Sequence, residues 1–156
     1  MKKALFALLL LCLPLIASAQ QERDFATQYM LLYAGQDTTL VCQTISPDMM
    51  KHMINREEVE QDDELKSILR QIRTLQVVRA EGKIPAQDNF EKAVDLAKLN
   101  TQRYKLYAYG DTYQIYLRKK GDIIVELVHI NLMEDAFCII NLTGYMTKDF
   151  IKLLSH

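Results

Sequence analysis

Tryptophan is absent from the 156-residue chain, and glycine (5), proline (3) and cysteine (3) are scarce. So few glycines and prolines exclude a collagen-like repeat and a Pro/Gly-rich low-complexity segment. Three cysteines exclude a disulfide-dense miniprotein. No tract of biased composition breaks the chain, which argues against disorder and against a repeat array. No sign of charge dominates either: 19 Lys and Arg stand against 20 Asp and Glu, interspersed, so neither a phosphate-backbone nor an anionic-membrane footprint is present and nucleic acid is not expected as a partner. The chain also lacks G-x-x-x-x-G-K-[ST], G-x-G-x-x-G, H-E-x-x-H and G-x-S-x-G. What is present, 49% hydrophobic and 25% charged residues, suits one globular domain.

The one long apolar run lies at the start. Lys2 and Lys3 precede apolar residues 4–16, and Ala17-Ser18-Ala19 follows. This is the pattern of a Sec-type signal, with cleavage expected between Ala19 and Gln20. The run is short for a membrane span, so no transmembrane segment is expected after cleavage. The reading divides the chain into a signal peptide, residues 1–19, and a single domain, residues 20–156, exported to the periplasm or beyond. Removal of the signal leaves 17 basic residues against 20 acidic ones, a net charge of −3. Cys12 is preceded by Leu11 rather than a small residue, so lipidation there is not expected.

Cys42 and Cys138 survive processing, each within an apolar strand-like run. An oxidising compartment permits a bridge between them if their Cβ atoms come within about 4 Å. Two buried thiols are the favoured alternative. Neither has a His or a cationic cluster nearby in sequence to activate it as a nucleophile.

Phe25, Tyr29, Leu32 and Tyr33 repeat at i, i+4, i+7 and i+8, a short helix with Gly35 after it as a C′ residue. Residues 38–45 are rich in β-branched side chains and read as a strand. Ser46-Pro47-Asp48 then offers a helix start for residues 47–54. Residues 55–64 hold six acids around Val59 and read as a solvated connection or a helix's polar first turns. Leu65, Ile68, Leu69 and Ile72 restore helical spacing, residues 74–80 read as a strand, and residues 85–100 as the longest helix, capped by Asp88 or preceded by Pro85. A meander follows. A two-residue turn at Gly110-Asp111 sets Tyr109 opposite Thr112 and Leu106 opposite Ile115. Tyr104, Leu106, Ala108, Tyr113, Ile115 and Leu117 then form a core face. Residues 123–132 and 136–142 are apolar on both faces and belong at the sheet's centre. Thr147 caps a last helix with Phe150, Ile151 and Leu154 inward. The order implies an α+β fold: a largely antiparallel sheet of about five to six strands with helices packed mainly on one face.

Ala17-Ser18-Ala19-Gln20, Tyr33-Ala34-Gly35-Gln36, Ile45-Ser46 with Met49-Met50, residues 116–127 from Tyr116 to Leu127, and residues 138–144 from Cys138 to Gly144 form an ordered set of stretches. Taken together they resemble the secreted proteins grouped as domain-of-unknown-function family 4252. The resemblance spans the mature chain. It implies a small exported domain of Gram-negative bacteria and brings no activity, catalytic residue or cofactor with it. The tyrosine-rich hairpin at residues 110–113 departs from the pattern.

Met49, His52 and Met53 share a helix face, a donor set that suits Cu(I), although methionine also fills cores. The acids Glu57, Glu58, Glu60, Asp62, Asp63 and Glu64 lack the glycine-punctuated spacing of a calcium loop and read as a solvated face. Glu126, Glu134 and Asp135 lie on or beside the sheet as candidate carboxylates for hydrolysis, with no His or Ser placed to complete a recognised arrangement. His129, on an apolar strand, reads as a hydrogen-bonded core residue, and His52 and His156 as surface residues. Asn141-Leu142-Thr143 matches a glycosylation acceptor formally but lies in a strand. The favoured site is a sheet face where Tyr107, Tyr109 and Tyr116 stand beside Ile124, Val128 and Ile130 as an aromatic binding patch, unless the first helix or a second copy covers it. The expected function is therefore an exported, non-catalytic binding or adaptor module of the envelope, with no metal or other cofactor. Its expected partner is an envelope protein or a small hydrophobic ligand. A small envelope hydrolase and a copper-binding protein are the alternatives.

Overall fold

The computed structural model describes residues 22–154. The signal, its cleavage site, Cys12 and His156 lie outside the described residues. The elements are α1 (Phe25–Tyr33), β1 (Val41–Ile45), α2 (Pro47–Ile54), α3 (Glu57–Glu60), α4 (Asp63–Gln71) and β2 (Ile72–Glu81). They continue with α5 (Lys83–Leu99), β3 (Lys105–Tyr109), β4 (Tyr113–Lys120), β5 (Ile123–Met133), β6 (Ala136–Met146) and α6 (Lys148–Leu154). All pairings in the six-stranded sheet are antiparallel, in the order β1-β2-β6-β5-β4-β3. The fold is α+β. The doubly apolar strands β5 and β6 take the centre of the sheet.

Register assigns every strand residue to a face, because residues opposite one another share it and successive residues alternate. The row Cys42–Val78–Ile139–Ile130–Gln114–Tyr109 and the row Thr44–Gln76–Asn141–Val128–Tyr116–Leu106 face α1 and α5. There Phe25, Tyr29, Phe90, Ala93, Ala97, Tyr116 and Phe137 build the larger core. The intervening rows face the other way, where Phe150 and Ile151 of α6 and Ile68 of α4 pack on Leu117, Leu127 and Leu142 at one end of the sheet. Fully burying a Phe or Leu side chain contributes about 1.5–3 kcal/mol, so these two clusters carry most of the fold's driving force.

Local chemistry explains where boundaries moved. Asp37 Oδ1 accepts hydrogen bonds from Thr39 N and Oγ1 at 2.8 and 2.6 Å, which holds residues 37–39 in a turn and shortens β1 from the expected 38–45. Gly35 has a negative φ and is not a left-handed C′ residue. The acidic stretch is helical rather than a bare connection: Asp62 caps α4 by accepting from Leu65 N at 2.9 Å, and Asp63 and Glu64 occupy its first turn, where the helix dipole favours acids. The longest helix begins at Lys83, earlier than its Pro85 and Asp88 signals. It follows Gly82 at φ 103°, a left-handed conformation suited to glycine, whose N–H donates to Asp135 O at 2.8 Å.

The β3–β4 hairpin is the main correction. Tyr109 faces Gln114 rather than Thr112, and Leu106 faces Tyr116 rather than Ile115. Gly110 N donates to Tyr113 O at 2.9 Å, and Gly110 has no positive φ, so the expected glycine-first two-residue turn does not form. The Tyr113 ring packs over Gly110 instead: a Cβ there would sit 2.6 Å from a ring carbon, so a larger residue would have to push the ring aside. A register break between Leu106 and Ala108 then mixes the expected core face, leaving Leu106 exposed and Tyr116 buried.

Candidate functional site: the half-open sheet face

Beyond α6, the face opposite α1 and α5 is left partly open. Two rows run across it, Val41–Arg79–Cys138–Asn131–Tyr113 and Gln43–Val77–Ile140–His129–Ile115–Ala108. On the β3–β5 side they form the floor of a groove of about 440 Å³, lined by Tyr107, Ala108, Tyr113, Ile115, Leu127, His129, Asn131 and Ile151. The His129 and Tyr113 rings meet edge to face, with centroids 6.0 Å apart and an interplanar angle of 87°. Among the described residues nothing hydrogen-bonds the His129 ring, so the expected core histidine is instead a half-buried ring in the groove floor. Burial lowers its pKa below the ordinary value, favouring the neutral ring. The groove is thus an aromatic and aliphatic surface with one imidazole and one amide to orient a ligand.

The expected tyrosine patch divides. Tyr116 is buried under the helices at 4% exposure, and Tyr109, on a row of the same face, is 73% exposed at the sheet's edge. Tyr107 lies at the register break of β3 and lines the groove on the opposite side. Ile124, Val128 and Ile130, the expected neighbours, are all buried. Tyr113, Ile115, His129 and Asn131 were missed as site residues. Their signal was the alternation Leu127, His129, Asn131 along β5, which marks one face of that strand as less apolar than the other.

Cys42 and Cys138 are not bridged; Cys138 is buried and Cys42 half-buried. Both thiols are free. Cys42 and Cys138 stand on adjacent rows, hence on opposite faces, and on strands separated by β2. Burial raises the pKa of each thiol.

The candidate carboxylates also separate. Glu126 is 0% exposed on the helix-covered face, whereas Glu134 and Asp135 form the β5–β6 turn at the far end of the strand. Glu126 is saturated with partners. Its Oε1 accepts from Phe25 N at 2.6 Å and Asn141 Nδ2 at 3.0 Å, and its Oε2 from Arg118 Nε at 2.8 Å, while Tyr104 OH lies 3.3 and 3.2 Å from the two oxygens. Asn141 Oδ1 accepts from Ala26 N at 2.8 Å. Two side chains of the sheet therefore satisfy the first N–H groups of α1, while Asp24 caps Thr27 N in the usual local way. Arg118 Nη1 continues to Glu22 at 2.8 Å, and Arg103 donates to the carbonyl of Arg23. The Lys120 and Arg118 cations lower the pKa of Glu22. This network anchors residues 22–26 and leaves no free carboxylate for hydrolysis at Glu126.

On α2, Met49 and His52 are exposed, Met53 is half-buried and Met50 is the core residue. Among the described residues no three His, Cys, Asp or Glu side chains converge as metal ligands. Among them, too, no helix is long and apolar enough to cross a membrane.

Compared with known proteins, the chain matches no curated protein and no solved structure. A family model does match, over residues 33–154, beginning at the last residue of α1 and taking in the whole sheet and its groove. The chain belongs to the family described as Domain of unknown function (DUF4252).

Proposed function

We propose that this protein is an exported, non-catalytic binding module of the bacterial envelope that takes a small apolar ligand into the groove on its half-open sheet face. The observation that carries the reading is the groove's lining: aromatic and aliphatic side chains around a volume of about 440 Å³, with His129 and Asn131 as the polar groups. Small-molecule sites are of this kind, about 300–1,000 Å³, mostly apolar, with a few polar groups to fix orientation. The signal-like residues 1–19 support the address.

The uncharged dye N-phenylnaphthylamine tests this. Its fluorescence should rise on binding to the wild-type protein. Tyr107→Asp should weaken that binding at least about tenfold, the equivalent of about 1.4 kcal/mol. Tyr107 is 54% exposed, so its melting temperature should stay close to that of the wild type. An unchanged titration in this variant, or no dye signal at all, overturns the reading.

Acidification supplies a second test. His129 has a folded-state pKa below its ordinary 6.5, so the neutral ring stabilises the fold fully above that value. The contribution is lost as the pH falls through the lowered folded-state value. Dye affinity and melting temperature should both decline in that window, and His129→Phe should flatten the decline measured by a pH series of thermal melts. An identical decline in the variant would place its origin elsewhere.

A further inference from the structure

The two edges of the sheet are built differently. Edge strands invite pairing with another chain, and proteins blunt them with charged residues, proline or bulges. β3 carries such devices: Lys105 opens it, and its ladder with β4 is broken between Leu106 and Ala108. β1 carries none. Its register with β2 runs unbroken from Val41↔Arg79 to Ile45↔Leu75, and no charged residue occurs anywhere in residues 38–47. Val41 is 57% exposed, Gln43 and Thr44 are exposed as well, and among the described residues β2 is the only strand that pairs with β1.

The sequence of β1 is also close to its own mirror: Val41-Cys42-Gln43-Thr44-Ile45 runs from apolar through small to Gln and back through small to apolar. A two-fold interface sets each residue against its symmetry counterpart, so an antiparallel self-pairing needs this reversal symmetry. With the axis at Gln43, Val41 of one copy lies opposite Ile45 of the other, Cys42 opposite Thr44, and Gln43 opposite Gln43. Each match joins side chains of similar size and polarity on one face, the arrangement that stabilises cross-strand pairs. A slip of one residue would oppose side chains of different faces, so the register is specified.

We infer that the free edge of β1 binds a second copy of this chain, antiparallel and centred on Gln43, in one continuous sheet with six strands from each copy. The Val41–Ile45 pairs lie on the rows of Arg79 and Leu75 and extend the half-open face across the junction. A contact resting on one five-residue strand is small, so the dimer is weak and forms with rising concentration.

Light scattering across a dilution series of residues 20–156 reads the equilibrium. The wild type should pass from monomer to dimer. Gln43→Lys sets two cations face to face at the axis and should weaken association at least about tenfold without moving the melting temperature, as expected for an exposed site away from the core. Lys105→Ala, on the other edge, should leave association unchanged. Hydrogen exchange on the unmodified protein is an independent reading, in which amides of residues 41–45 should gain protection as concentration rises. A monomer at every concentration overturns the inference, as does a dimer that ignores Gln43→Lys or protection that appears at residues 105–109 instead.

Discussion

Replacing Glu126 by alanine should lower stability by about 3–5 kcal/mol and the melting temperature by roughly 10–20 °C, the scale expected when one partner of a buried ion pair is removed. The loss has three parts. Arg118 keeps only the exposed Glu22, Arg103 loses the carboxylate 4.0 Å from its guanidinium, and the N–H of Phe25 and the amide of Asn141 lose a buried acceptor. Glu126→Gln separates these parts. The amide retains an oxygen for Phe25 N but no negative charge, so its cost should be about half that of alanine. Urea titrations of both variants, with m-values compared to confirm two-state unfolding, measure the difference. A change below about 1 kcal/mol for alanine would show that α1 is held by its apolar face alone.

Gly144→Ala should be comparably severe for a different reason. A Cβ at this position would lie 2.0 Å from Gln71 O and about 3 Å from Arg73 N, atoms of the backbone where α4 gives way to β2. Gly144 pairs with Ile72 beside the register break between Ile72 and Thr74, so the bulge brings that backbone onto β6 where only glycine fits. Flexible side chains cannot yield here, and the bulge itself must move, at a cost of about 3 kcal/mol or more. Gly35→Ala is the matched control: nothing lies within 4 Å of its Cβ position and its φ is not positive. There alanine should be neutral or stabilising by up to about 1 kcal/mol through the unfolded chain. Thermal melts of the two variants side by side test the contrast, and similar melting temperatures would show that β2 adapts.

The class and order of elements were legible because they follow from local periodicity. The apolar runs of β5 and β6 announced central strands, and Ser46-Pro47-Asp48 announced α2. The site was less legible because it depends on contacts between distant residues. Alternation along β4 correctly set Ile115 and Leu117 against Gln114 and Tyr116, but which set faced helices was decided by α5, whose path carries the chain from β2 to β3 at the sheet's far edge. The hairpin seats the Tyr113 ring over Gly110, a contact that no turn rule contains. Glu126 and Asn141 each interrupt an apolar strand run, and that interruption is a sequence signal of a buried polar group with a partner. The identity of the partner, the start of a helix about a hundred positions away, is tertiary information.

The long reach of those caps also orders events in time. α1 is the first described helix to leave the ribosome, yet the acceptors for its first two amides are 101 and 115 residues downstream. β2 likewise waits for β6 before it becomes an interior strand. Contacts of such separation close slowly, after the entropy of a long loop has been overcome. During synthesis α1 therefore lacks the acceptors for its first two amides, and β2 its inner neighbour, until the last strands are made. The native sheet closes only once β6, residues 136–146, stands between β2 and β5.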